Sequence, residues 1–408
     1  MSKIIFFSTL TLWSMGKGKG GPAFTKTVLN YIDKGWDTYL ITDEPSNADC
    51  DFLDDAHKFV FKPSFFKPLT HVRYMSPFFK RLDCMLMRRN FCKKAEEILG
   101  SNPSDCILYA YEVHGVGPAK ELHQKYKLPM VTRFQGTILT KKENTFLNRL
   151  RLYPYFYGLS QKSDLIIMTN DGTQGDRVLK RLKNNSKVLF VMNGLDLLDL
   201  NISDIKQNFD RNTFRMSISK KIRDNTCMFL TVSRLENWKR VDRAIDGFAD
   251  FCKRNDNGIL VIVGDGDERT ALEERVKKYN IENKVVFTGS VAHGDVYNYM
   301  MACDVFLSLY DLSNVGNPLL EAMALGKCVI TYDIGDTKEF IKNRKNGILL
   351  TDKELPELGK YMEEVAADHN KREQYGQAAS KFAKEHFWNW KERLDYETEE
   401  VKKLLNNN

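Results

Sequence analysis

The chain has 408 residues, 42% hydrophobic and 28% charged, with a net charge of +7. That composition is of a soluble globular protein with real cores, and the length accommodates two or three domains. The charge is too small and too dispersed to indicate a nucleic-acid partner, and mildly favours nucleotides, phosphates or a membrane face.

Taken in order, the first half alternates apolar strand runs with amphipathic helices. Lys3–Ser8 is a strand, Thr9–Lys19 a long loop, and Gly20-Gly21-Pro22 opens a helix to about Lys34. Strands follow at Asp37–Thr42, Cys106–Tyr111, Pro129–Phe134, Leu165–Thr169 and Lys187–Met192. Helices fall near Val116–Tyr126 and Gly172–Leu182. The second half repeats the pattern, with strands at Cys227–Ser233, Ile259–Val263, Lys284–Thr288, Val305–Leu309 and Cys328–Tyr332 and helices between them. Near-continuous apolar strands alternating with helices predict parallel sheets covered on both faces. The reading is therefore α/β: two doubly wound Rossmann-like domains, at 1–200 and 226–376. Residues 201–225, polar and without clear periodicity, are taken as the linker. Residues 377–408 form a charged C-terminal helix whose Trp388 and Trp390 point to docking on a domain.

The segment Phe61–Cys92 breaks this rhythm, interleaving aromatics with cations around Phe65-Phe66-Lys67, Phe78-Phe79-Lys80-Arg81 and Met85–Arg89. Two readings stay open: a membrane-surface or lipid-acceptor face, and an insertion packing its aromatics on the first domain. No apolar run nears the ~18 residues of a membrane span, and Met1–Ser8 reads as a strand, not a signal peptide. Eight cysteines lack any C-x-x-C spacing and read as small buried hydrophobes. A reduced, cytoplasmic setting follows, with association at the inner membrane face left open.

In open α/β sheets ligands bind beyond the strand C-termini, and three such loops in the second half carry chemistry. After Cys227–Ser233 come Arg234 and Lys239, two cations able to neutralise a diphosphate. After Ile259–Val263 comes Gly264-Asp265-Gly266, a turn that permits close backbone approach to a ligand. After Val305–Leu309 comes Ser313-Asn314-Val315-Gly316-Asn317-Pro318-Leu319-Leu320-Glu321, in which Asn317 is a fitting N-cap and Pro318 a fitting first helical residue. Such a helix start attracts anions, and a carboxylate beside it needs another partner, such as sugar hydroxyls. Taken singly, each loop also fits an ordinary βα turn. Together they suit a nucleotide-diphosphate-sugar.

These segments resemble the family 4 glycosyltransferases of the two-domain GT-B fold. The match is carried by Val232-Ser233-Arg234-Leu235 through Lys239, by Leu260 to Gly266, by Val285 to Gly289 and by Pro318 to Ala324. Asn193-Gly194-Leu195-Asp196 resembles the family's Asn-Gly-x-Asp, and Gly20-Gly21 its first-domain glycine loop. The resemblance implies retaining transfer of a sugar from a nucleotide donor, UDP-linked by expectation, to a glycan or lipid-linked acceptor in cell-surface glycan biosynthesis. The donor would lie in the second domain and the acceptor in the first, across a cleft, with the C-terminal helix returning to the first domain. No cofactor and no metal are expected. Arg234 and Lys239 would hold the diphosphate, and Glu321 the ribose. Gly264, Asp265, Gly316, Asn317, Pro318 and Leu319 would complete the donor site with the first-domain glycines Gly20 and Gly21.

Two positions depart from the family. Ser313 stands where relatives carry the first Glu of Glu-x7-Glu, and its hydroxyl reaches less far and bears no charge; Asn314 or Asn317 are candidates to compensate. Gln135 stands where relatives often place His, and it cannot act as acid or base. His114 is the nearest imidazole candidate, against the plain alternative of a structural His. Competing readings are a non-catalytic transferase-like subunit and a sugar-nucleotide epimerase or phosphorylase of the same fold. Gly16 to Gly21 formally contains G-x-G-x-x-G but begins too far beyond the strand for a dinucleotide fingerprint.

Overall fold

The computed structural model describes residues 2–10, 23–48, 50, 52–72, 75–101, 103–200, 202–223, 225–312 and 314–406. The chain divides into two units. One comprises residues 1–170, 174–193 and 391–408, and the other residues 171–173 and 194–390.

The first unit carries a seven-stranded parallel sheet. Its strands are β1 (Lys3–Ser8), β2 (Asp37–Thr42), β3 (Lys58–Val60), β4 (Cys106–Tyr111), β5 (Met130–Phe134), β6 (Leu165–Thr169) and β7 (Lys187–Val191), in the order β3-β2-β1-β4-β5-β6-β7. Alternate side chains serve two cores, as the period of two requires. Ile5, Phe7, Leu108 and Ala110 pack with Phe91 and Val116 on one face. Ile4, Phe6 and Tyr109 pack with Phe24, Val28 and Val401 on the other.

The second unit carries a six-stranded parallel sheet. Its strands are β8 (Cys227–Val232), β9 (Gly258–Val263), β10 (Val285–Gly289), β11 (Val305–Ser308), β12 (Cys328–Tyr332) and β13 (Ile348–Leu350), in the order β10-β9-β8-β11-β12-β13. In each sheet the strand order reverses once, between β1 and β4 and between β8 and β11. Ligand crevices of doubly wound sheets lie outside such reversal points.

Several expectations need correction. Residues 201–225 are not a bare linker: they hold the helices Ile202–Asn208 and Arg211–Ile218, within the second unit. Their polar look hides a buried charge. Arg215 is 2% exposed and bonds Asp304 at 3.2 Å, beside Arg211–Asp304 at 2.6 Å. The C-terminal region is two helices, His369–His386 in the second unit and Trp390–Asn406, of which residues 391–406 lie in the first. The segment 61–92 leads into one long helix, Ser76–Leu99, that buries Met87, Phe91, Cys92, Ala95 and Leu99 in the first core. Phe65 ahead of the helix, and Phe78 and Met85 on its outer side, are exposed. Among the described residues no helix is long and apolar enough to cross a membrane, and all eight cysteines are free thiols.

Candidate functional site

The β8 and β11 loops meet at the reversal point of the second sheet. The Asp311 amide donates to the Trp238 carbonyl at 2.9 Å, and the Tyr310 hydroxyl donates to the Val232 carbonyl at 2.8 Å. Asp311 is gripped by Arg240 at 2.9 Å and Arg243 at 2.7 Å. This frame holds Lys239, whose Nζ sits 4.1 Å from the Trp238 ring centre and 4.0 Å from that of Tyr310. Aromatic faces attract the ammonium, yet they cannot replace its water. Burial, then the neighbouring Arg234 charge, push the Lys239 pKa down to about 7, against Asp171 and Glu236. The Arg234 side chain is 73% exposed, with Glu236 at 3.5 Å. Two cations stand at one strand end, Arg234 exposed and Lys239 held partly neutral, so an anion arriving there would restore the Lys239 charge.

The glycine turn is crowded by the protein's own backbone. Gly264 has φ +128°, and a Cβ there would lie 1.9 Å from the Ser233 carbonyl oxygen; one at Gly266 would lie 2.6 Å from that of Leu235. Both glycines therefore admit the backbone that carries Arg234. The Leu235 amide donates to the Asp265 carbonyl at 2.9 Å, and the Asp265 carboxylate caps its own turn at the Gly266 amide, 2.8 Å away.

Asn314 is likewise committed. At 1% exposure, its amide nitrogen donates to the Thr331 hydroxyl and the Tyr332 carbonyl, both at 2.9 Å, and its oxygen accepts from the Ser308 hydroxyl at 2.8 Å. It pins the loop to β11 and β12 and has no reach left to compensate for Ser313. The helix Asn317–Ala324 begins one residue earlier than expected: Gly316 is the cap, Asn317 the first helical residue and Pro318 the second, with Leu319 and Leu320 buried beneath. Ser313, Gly20 and Gly21 lie outside the described residues.

Glu321, in the second turn of that helix, is 2% exposed. Burial raises its pKa to about 7, opposed by His293 and reinforced by Asp196. The Tyr297 hydroxyl lies 3.5 Å from Glu321 Oε1 and 3.1 Å from His293 Nε2; His293 in turn sits 3.5 Å from Asp196. A carboxyl held this poorly solvated beside a helix start is prepared to accept from hydroxyl donors. His293, Tyr297, Trp238 and Tyr310 went unnoticed in the sequence. Trp238 adjoins Lys239 in the sequence, but Tyr310 reaches it only through the fold.

In the first unit, the reversal point places Glu112 directly after β4 with φ +63°, a strained backbone of the kind found at functional sites. Its carboxylate accepts from the Gln135 amide at 2.6 Å. The Gln135 side chain is held at both ends, donating to the Tyr111 hydroxyl and accepting from Asn193 at 3.4 Å. Arg133 extends the chain from Asn193 at 3.5 Å to Glu397 at 3.0 Å, where Arg393 also pairs at 3.0 Å. His114 has other surroundings. Its Nδ1 lies 3.8 Å from Cys84 Sγ, and burial keeps its pKa below the ordinary value against Asp43 and Asp83. It lines a cavity under the helix Ser76–Leu99. Among the described residues no group of three or more His, Cys, Asp or Glu side chains could hold a metal ion.

Two Rossmann-like units with parallel sheets and a helical C-terminus give the GT-B fold. The Anabaena protein HepE, solved in complex with UDP-glucose, superposes with a TM-score of 0.69 at 19% identity over the whole of both chains. Residues 213–382 match the family described as Glycosyl transferases group 1, so the chain carries a domain of that family and is a glycosyltransferase. An uncharacterised glycosyltransferase of Methanocaldococcus jannaschii is 27% identical over 71% of each chain. The alpha-monoglucosyldiacylglycerol synthase of Streptococcus pneumoniae is 29% identical over 38% of this chain and 35% of its own length.

Proposed function

We propose that the chain is a retaining, metal-independent glycosyltransferase that moves a hexose from a UDP-sugar to a glycan or lipid-linked acceptor in cell-surface glycan biosynthesis. The observation that carries this reading is Lys239, held between Trp238 and Tyr310 with a pKa near 7 beside the Arg234 charge at one strand end. A donor diphosphate would restore the charge of the ammonium. As the sugar–phosphate bond breaks, negative charge grows on the departing UDP, and the two cations stabilise it more than they stabilise the ground state. Glu321 accepts from the ribose hydroxyls. No cofactor takes part. HepE's bound UDP-glucose and the lipid glucoside named for the pneumococcal synthase support a UDP-sugar and a lipid acceptor. The exposed Phe65, Phe78, Met85 and Phe146 of the first unit lie among Lys80, Arg81 and Arg149, a pattern suited to a peripheral contact with an anionic membrane face.

The test is turnover of UDP-glucose with the anomer of the product read by NMR. Arg234→Ala should lower turnover about a hundredfold or more, as loss of one such group does elsewhere, and the product should keep the α configuration of the donor. Undiminished turnover overturns the diphosphate role, and a β product overturns retention.

A further inference from the structure

The helices Ser76–Leu99, Glu112–Tyr126 and Tyr153–Ser160 of the first unit enclose a cavity of about 340 Å³. Its size is that of a small-molecule site, and nothing in the donor site accounts for it. The wall is apolar, with Met85, Val113, Pro118 and Pro154, and two guanidinium groups stand on its rim, Arg81 and Arg88. Arg81 stacks 4.9 Å from the Tyr153 ring centre, and Tyr153 and Tyr157 lie 5.6 Å apart. Arg88 bonds Glu121 at 2.8 Å in the half-exposed range, whereas Arg81 pairs with no carboxylate among the described residues. One imidazole faces inward: His114 Nδ1 lies against Cys84, and its Nε2 meets no hydrogen-bond partner among the described residues. A second groove of about 260 Å³ shares Arg81, Tyr153 and Tyr157 and adds Phe146 and Arg149. Outside, Met85 is 56% and Phe146 83% exposed, so the apolar lining continues onto the surface.

An apolar slot with a guanidinium rim matches one kind of occupant. A neutral chain would leave Arg81 without a charged partner, and a small anion would leave the apolar wall uncovered. We propose that this cavity binds an amphiphilic anion, an acyl or prenyl chain bearing a phosphate, with the chain against Met85, Pro118 and Pro154 and the phosphate at Arg81. The proposal rests on the reading that the first unit receives the acceptor, and it names that acceptor's chemistry. His114 then offers its free nitrogen to a hydroxyl or phosphate oxygen of the same ligand.

Calorimetric titration of the full chain with dodecyl phosphate, inorganic phosphate and dodecyl maltoside tests it. Dodecyl phosphate should bind one to one, with the other two at least about tenfold weaker. A Cβ on Gly117 would sit 3.3 Å from Arg88 and 4.0 Å from Tyr157, so Gly117→Leu fills the slot. Gly117→Leu and Arg81→Gln should each weaken dodecyl phosphate about tenfold while UDP-glucose binds as in the parent. Arg81→Gln decides the matter where the leucine variant does not fold. Equal binding of dodecyl phosphate and dodecyl maltoside, or parental dodecyl phosphate affinity in both variants, overturns the proposal. UDP-glucose binding with no amphiphile binding overturns it and leaves the transferase reading standing. Sedimentation with phosphatidylglycerol vesicles separates the sources: lost with Gly117→Leu, the ligand is a bilayer lipid; retained, it is a free amphiphile.

Discussion

Donor binding should change its proton balance in sign at about pH 7. Lys239 and Glu321 are both poised near that value before ligand arrives, for opposite reasons: burial strips water from a cation in one case and from an anion in the other. A bound diphosphate returns Lys239 toward its ordinary pKa of about 10.4, and ribose hydroxyls donating to Glu321 return it toward about 4.3. At pH 8 only about a tenth of Lys239 is protonated beforehand, so binding takes up about 0.9 proton there, while Glu321, already ionised, releases about 0.1. At pH 6 the roles exchange. The net uptake is therefore about 0.8 proton at pH 8, about zero at pH 7, and a release of about 0.8 at pH 6. Isothermal titration with UDP-glucose in buffers of different ionisation enthalpy reads this directly, because the diphosphate of a nucleotide sugar does not titrate in that range. Lys239→Met should abolish the uptake at pH 8, and Glu321→Gln the release at pH 6. A proton balance that keeps one sign from pH 6 to pH 8, or that survives Lys239→Met, refutes the placement of the diphosphate and ribose at these groups.

Two further outcomes concern the frame. Asn314→Ala strips partners from the buried Ser308 and Thr331 hydroxyls and the Tyr332 carbonyl. It should cost about 2–4 kcal/mol and lower the melting midpoint by roughly 5–10 °C; a midpoint within about 1 °C of the parent contradicts the pinning role. Glu397→Gln leaves the fully buried Arg133 and Arg393 without their shared charge and should cost about 3–5 kcal/mol by denaturant titration. Burial alone would raise the Glu397 pKa, but Arg133 and Arg393 outweigh it and hold the carboxyl below the ordinary value. Its contribution is thus present above the unfolded-state pKa of a carboxyl and is lost only as pH falls through the lower folded-state value. A parental acid-unfolding profile in the variant contradicts that linkage.

The long strands of both sheets were legible because strands buried on two faces are continuous apolar runs. Cys106–Tyr111 and Cys328–Tyr332 fall where the sequence places them. The three-residue edge strands Lys58–Val60 and Ile348–Leu350 offer too short a run to detect. The helices at 202–218 escaped because Arg215, counted as polar, faces inward to Asp304. At the candidate site, residue types pointed to Arg234, Lys239 and Glu321, since charge at a strand end needs no tertiary knowledge. The same logic could not show that Gly264, Gly266 and Asn314 are packed against other loops of the protein itself. The Arg133–Glu397 pair spans 264 residues of chain, and no local pattern announces it.

The central claim is that the β8 and β11 loops hold the nucleotide donor. Hydrogen exchange of the full chain with and without UDP, followed by mass spectrometry, tests it most directly. The account predicts slowed exchange in peptides covering 233–240 and 314–321. Protection confined to other segments, with these two unchanged at saturating UDP, would contradict it.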